Sequence, residues 1–246
     1  MNQRQKNILQ LVSLGGEVSV QELSDNLDVS LVTIRSDLRS LEDQDLLVRT
    51  RGGAALSSKD DIAHRLGINT SAKLRIAKAA AALVNEGDTI LLEAGSCIAL
   101  MARELKGFQS LNVLTNNAFV ARQLKDADGV RVILLGGEFQ KGSETMVGPM
   151  IREYMSYYHY SKVFLGMDGF TAEDGAMCRD IDRAEVMKEF VIQGSEVILL
   201  SDSSKFGEKA VRSFASSKEI DRIVTDCDIN ATMLEKLSED LLIETV

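Results

Sequence analysis

Seven short apolar runs dominate the last three-quarters of the chain: Thr89–Glu93, Asn112–Thr115, Arg131–Leu135, Lys162–Leu165, Glu196–Leu200, Arg222–Thr225 and Leu241–Glu244. Most are near-continuous rather than alternating, as expected of strands buried on both faces. Helical periodicity separates them, over 97–106, 117–126, 149–158, 182–193 and 230–239, and an alanine-rich helix over Ser71–Asn85 precedes the first. Strand and helix in strict alternation imply an α/β domain built on a mostly parallel sheet. In such sheets ligands lie beyond the carboxyl ends of the strands.

Those ends are polar. The first run leads through Glu93-Ala94-Gly95-Ser96-Cys97 straight into a helix, where glycine admits a close approach and free helix N–H groups favour an anion. The second ends in Thr115-Asn116-Asn117, the third in Gly136-Gly137, and the fourth in Gly166-Met167-Asp168-Gly169. The fifth ends in Ser201-Asp202-Ser203-Ser204-Lys205-Phe206-Gly207. Glycine and serine after a strand are ordinary turn chemistry one at a time. Repeated along one sheet, they converge on a pocket for a small, polar, phosphorylated ligand.

The first 60 residues follow a different pattern. Arg4–Leu14 reads as a helix stopped at Gly15-Gly16, and Ser19-Val20-Gln21-Glu22 is a capping box opening a short second helix. Ser30 then caps a third, which turns Leu31, Ile34, Leu38 and Leu41 inward and Val32, Thr33, Arg35, Ser36, Arg39 and Ser40 outward. An ordinary amphipathic helix would divide in the same way. The flanks decide between the two: two helices joined by the tight Asp28-Val29 turn form a helix-turn-helix, whose second helix suits a major groove. Residues 46–56 read as a hairpin turning at Gly52-Gly53, with Arg49 and Arg51 two apart on one strand face, a basic wing beside the helix. The polar stretch from Ser57 to Thr70 reads as a linker, giving domains over 1–57 and 71–246 joined by 58–70.

A net charge of −9 excludes a generic nucleic-acid coat but not a specific reader with locally clustered arginines. Cys97, Cys178 and Cys227 are odd in number, far apart and without metal-like spacing, which fits a reducing cytoplasm. No run approaches the roughly 20 apolar residues of a membrane span, so no membrane partner is expected. The isolated His64 and His159 argue against zinc, and no metal or cofactor is expected.

Residues 4–56 resemble the DNA-binding domain of the DeoR family of bacterial repressors, through Ser30, Thr33-Ile34-Arg35, Asp37-Leu38 and Arg51-Gly52-Gly53-Ala54. Ser36 stands where that family commonly places a second basic residue. Residues 71–246 resemble the family's sensor domain, which shares its fold with ribose-5-phosphate isomerases. The matching motifs are Gly87-Asp88-Thr89, Gly95-Ser96, Thr115-Asn116, Leu135-Gly136-Gly137, Gly166 with Asp168-Gly169, Glu185 with Lys188, and Asp202 to Gly207. Glu93 replaces the family's usual Asp, and Cys97 and Ile98 replace hydroxyl residues.

The resemblance implies a winged helix-turn-helix joined to a mostly parallel, isomerase-like α/β sensor. It implies a homo-oligomeric repressor of a carbohydrate operon that binds a double-stranded operator. Ser30, Val32, Thr33, Arg35, Ser36, Arg39, Arg49 and Arg51 are its expected DNA-binding residues. Gly95, Ser96, Cys97, Thr115, Asn116, Gly136, Gly137, Asp168, Gly169, Glu185, Lys188 and Lys205 are expected to hold a phosphorylated sugar or sugar-alcohol effector, with Gly95-Ser96 and Lys205 on the phosphate. An isomerase carrying a DNA module is the alternative, with Asp168, Asp202, Glu185, Lys188 and Lys205 available for proton transfer. A pocket that only binds sugar hydroxyls would contain the same residues, and the helix-turn-helix favours the regulator without catalytic residues. An architectural DNA protein would leave the strand ends unexplained.

Overall fold

Two hydrophobic cores divide the chain into units of Met1–Ser71 and Ala72–Val246. The structure, a computed structural model, describes residues 1–44, 46–55, 62–194, 196–238 and 241–246. In the first unit, α1 (Gln3–Gly15), α2 (Val20–Leu27) and α3 (Leu31–Glu42) bury Ile8, Leu9, Val12, Leu23, Ile34, Leu38 and Leu41. Each start follows from its capping residue. Asn2 and Gln5 form one capping box, Ser19 and Glu22 another, and Ser30 Oγ accepts from the Thr33 N–H. Asp28, at φ 51°, ends α2 in the left-handed conformation that asparagine and aspartate tolerate, and so makes the tight turn into α3.

The wing is β2 (Val48–Thr50) and β3 (Gly53–Ala55), and β1 (Glu17–Ser19) adds a third strand in the order β1-β3-β2. Sequence periodicity missed β1 because three residues between a Gly-Gly stop and a capping box show no alternation. Gly53 is required by this pairing: a Cβ there would sit 2.2 Å from the Val18 carbonyl oxygen. The expected linker over 58–70 needs correction. Ser57–Asp61 lies outside the described residues, but α4 (Ile62–Gly67) is a helix with Ile62 and Leu66 buried. It packs on α1 so closely that a Cβ on Gly67 would lie 2.7 Å from Ser13 Cβ. The polar flank masked a single apolar i, i+4 pair.

The second unit opens with α5 (Thr70–Ala81), shorter than the helix expected to Asn85. Its sheet contains β4 (Thr89–Leu92), β5 (Leu111–Thr115), β6 (Val130–Leu134), β9 (Lys162–Leu165), β12 (Val197–Leu200), β14 (Arg222–Thr225) and β15 (Leu242–Thr245). These are the seven runs read from the sequence, in the order β15-β14-β12-β9-β4-β5-β6, every pair parallel. Around them lie α6 (Ser96–Glu104), α7 (Ala118–Gln123), α8 (Met150–Met155), α9 (Ile181–Gln193) and α10 (Ala231–Ser238).

Two small antiparallel additions were not legible in the sequence. β7 (Glu138–Gln140) pairs with β8 (Thr145–Val147), and β10 (Gly169–Thr171), β11 (Gly175–Cys178) and β13 (Arg212–Ala215) form a separate sheet. Each is three or four residues long, and glycines interrupt them, so they read as turns. Gly137 and Gly169 are required there, since a Cβ on either would lie 2.5 Å from a carbonyl oxygen, of Val147 and Glu208 respectively.

Candidate functional site

In the first unit, α3 presents Val32, 73% exposed, together with exposed Arg35, Ser36 and Arg39, while Ile34, Leu38 and Leu41 face the core. Asp37 lies on the core side, 5% exposed, and accepts from Arg4 Nε at 2.5 Å. It anchors α3 to α1 and keeps a carboxylate off the outer face. Burial and Asp37 shift Arg4 in opposite senses; the hydrogen bond to Asp37 prevails, and the guanidinium pKa is raised.

The wing differs from expectation. Arg51 sits in the turn, exposed, whereas Arg49 on β2 donates from Nε to Glu42 Oε2 of α3 at 2.5 Å. The two arginines therefore do not act as one strand face. Arg49 braces the wing against α3 and holds the Glu42 carboxyl below its usual range. Arg35, Glu42, Arg49, Thr50 and Gly52 line a groove of about 360 Å³ between helix and wing. Its open positive charge belongs to Arg35, with Arg39 and Arg51 on the flanking surface.

In the second unit, the strand ends carry buried charge. Gly95, at φ 154°, opens α6 and contributes no side-chain cap, so the first N–H groups of a nine-residue helix are uncapped. Backbone packs tightly at this point, since a Cβ on Gly166 would lie 3.2 Å from the Ala94 oxygen. Beside it Lys73 Nζ, on α5, lies 3.6 Å from Asp202 Oδ2, with both side chains over nine-tenths buried. Asp226, also buried, accepts from the Ser203 N–H at 2.7 Å.

Cys97 lies among these charges. Its burial outweighs the pull of Lys73 and pushes the thiol to about 12, and burial does the same to Cys178. Both remain protonated near neutrality and are poor nucleophiles. Further along the row Glu93, fully buried, accepts from Arg183 Nη2 of α9 at 3.0 Å. Burial depresses the Arg183 guanidinium, but Glu93, Cys178 and Asp168 outweigh it and the net shift is upward.

Several expected ligand residues have structural work. Thr115 Oγ1 accepts from the Asn117 N–H, and Asn117 caps α7 and donates to Ser143 O and Thr145 Oγ1. Asn116 Nδ2 donates to Met146 O, which ties the β7–β8 hairpin to the end of β5. Asp168 Oδ2 accepts from the Arg179 N–H, and Gly136 lies beneath the Tyr154 ring. Lys205 is half-buried in the loop after β12.

Residues 4–60 match the DeoR-like helix-turn-helix domain, and residues 68–227 match the DeoR C terminal sensor domain. The chain belongs to the DeoR family. It is 33% identical over 241 residues to the HTH-type transcriptional regulator GolR of Listeria innocua, covering 96% of this chain and 95% of that one. It is 32% identical to the lactose phosphotransferase system repressor of Lactococcus lactis, covering 96% and 95%. A ribose 5-phosphate isomerase A from Methanocaldococcus jannaschii is similar over 57% of this chain and 56% of its own, at 20% identity and a TM-score of 0.43.

This DeoR-family member is accordingly a DNA-binding transcriptional regulator and not an enzyme. The residues offered for isomerase chemistry are also scattered. Glu185 is exposed on α9 and paired with Arg212 of β13, and Lys188 is exposed on the same helix. The structure does not bring these two to the strand ends. Instead it places Lys73 and Arg183 there, which the sequence reading missed. Their signal was present: each is a charge on its helix's apolar stripe, Lys73 with Ile76, Ala77 and Ala80, and Arg183 with Val186, Met187 and Phe190.

Proposed function

We propose that this regulator represses a carbohydrate-metabolism operon, and that a phosphorylated sugar or sugar alcohol bound at the strand ends changes its affinity for double-stranded operator DNA. Arg35 and Arg39 read the major groove while Arg51 holds phosphate from the wing. The chain works as a homo-oligomer in the cytoplasm, since one recognition helix covers only a half-site. No helix among the described residues is long and apolar enough to cross a membrane.

The observation that carries the effector reading is the uncapped start of α6 at Gly95-Ser96, beside the buried Lys73. N–H groups of a helix start favour a phosphate, and Lys73 offsets the buried Asp202 carboxylate beside them. Lys205, half-buried on the neighbouring loop, supplies further positive charge. The names of the relatives, a lactose-system repressor among them, support the carbohydrate assignment.

The test is operator binding titrated with sugar phosphates, for wild type and Lys205→Ala. The expected result is a ligand that shifts DNA affinity in wild type, emerges chemically unchanged, and acts more weakly on the variant. If no phosphate ester alters DNA binding or raises the melting temperature, the reading is wrong.

A further inference from the structure

The buried polar atoms without a hydrogen-bond partner among the described residues include a complementary pair near the junction of β4 and β5. One is an acceptor, Asn116 Oδ1, and the other a donor, Arg183 Nε. Asn116 is 1% exposed and Arg183 7%. The amide orientation of Asn116 is fixed by its partner: Met146 O only accepts, so Nδ2 faces it and the oxygen is the unmatched atom.

Glu93 connects the two residues. Its Oε1 accepts from Arg183 Nη2 at 3.0 Å, and it follows Leu92, whose registered partner on β5 is Thr115, the residue before Asn116. Adjacent strands run about 4.8 Å apart, so Glu93 and Asn116 leave the sheet side by side. The β7–β8 hairpin borders the same spot: Asn116 bonds β8, and Gln140 of β7 donates to Asp180, the N-cap of α9.

An unmatched donor and an unmatched acceptor are both satisfied by hydroxyl groups, which donate and accept. A charged ligand group fits poorly. The Arg183 charge is already neutralised by Glu93, so a carboxylate entering here meets Glu93 and an ammonium meets Arg183. Neither regains its lost hydration in a buried site.

We propose that Asn116, Arg183 and Glu93 form a hydroxyl-reading subsite that selects the neutral polyol end of a phosphorylated ligand and rejects a carboxylate or amine in the same position. The subsite rests on the effector reading above. In it Glu93 holds the Arg183 guanidinium through Oε1.

The experiment is calorimetric titration of the full chain with hexitol 6-phosphates of gluco, manno and galacto configuration. The matching hexonate 6-phosphates, a 2-amino-2-deoxyhexose 6-phosphate and inorganic phosphate complete the panel. Wild type is expected to bind a hexitol phosphate at least about tenfold tighter than its hexonate or the amino sugar, as expected where a buried polar group is left unmatched.

Glu93→Gln combined with Arg183→Gln removes both charges together and should bring the charged ligands within about threefold of the hexitol, with inorganic phosphate unchanged. Arg183→Lys keeps the charge toward Glu93 but loses Nε, and should weaken the hexitol about tenfold. This second variant decides the matter if the double variant does not unfold cooperatively. Equal binding of all three ligand types by wild type, or full discrimination retained in the double variant, overturns the subsite and leaves the effector reading intact. If no phosphate ester binds, the effector reading itself falls and the subsite falls with it.

Discussion

Replacing Arg183 with methionine isolates what the buried pair contributes to the sensor unit. Methionine fills a similar volume but leaves the Glu93 carboxylate, fully buried in the wild type, without its counter-charge. Removing one partner of a buried pair costs about 3–5 kcal/mol. For a unit of this size each kcal/mol lowers the melting temperature by about 2–4 °C, so the expected loss is about 6–20 °C. The pH dependence supplies a sharper signature. In the variant, burial raises the folded-state pKa of Glu93 above its unfolded value of about 4.3. A carboxyl raised in this way is stabilised when protonated, so the deficit is at full size above the raised pKa and shrinks as pH falls through it toward the unfolded value. Each unit between them is worth about 1.4 kcal/mol. Wild type lacks this recovery, because Arg183, its pKa raised, stays charged throughout. The assay is scanning calorimetry of both proteins at pH 8 and pH 5, with Glu93→Gln added to the variant as the control that restores most of the stability. A variant melting within about 2 °C of wild type at pH 8, or with the same deficit at both pH values, would refute the reasoning.

Four further predictions concern the DNA unit. Arg35→Ala should cost about 1–3 kcal/mol at the cognate site and relax base preference. Arg51→Ala should instead weaken all sequences alike and lower the salt slope by about one, with both measured by fluorescence anisotropy against salt. Ser30→Ala removes the cap that receives the Thr33 N–H and should destabilise the first unit by about 1 kcal/mol, read by chemical denaturation. On a natural operator, footprinting should show two protected half-sites about 34–36 Å apart or a multiple of that; a single half-site bound by a monomer would contradict the oligomeric reading.

The sequence alone determined the features that repeat with a period. The strands of the parallel sheet were legible because strands buried on both faces must be apolar throughout. The start of α3 was legible because Ser30 caps it locally, and the polar strand ends were legible because they follow from where the strands stop. Tertiary structure decided which charges go inside. Asp37, Lys73 and Arg183 each occupy an apolar stripe, and periodicity alone marks such a residue only as an exception. Its meaning depends on a partner distant in sequence: Arg4 for Asp37, Asp202 for Lys73, Glu93 for Arg183. The same dependence took Arg49 out of the free basic surface, by pairing it with Glu42, and sent Glu185 to Arg212. The short strands β1, β7, β8, β10, β11 and β13 were equally hidden. Three or four residues without a continuous apolar run carry little pattern of their own, and backbone pairing fixes them as strands, within a hairpin for β7–β8 and β10–β11 and with a distant segment for β1 and β13. A periodic pattern records only a residue's own preference for water or core. A buried charge or a short strand is stable only once the fold has delivered its partner.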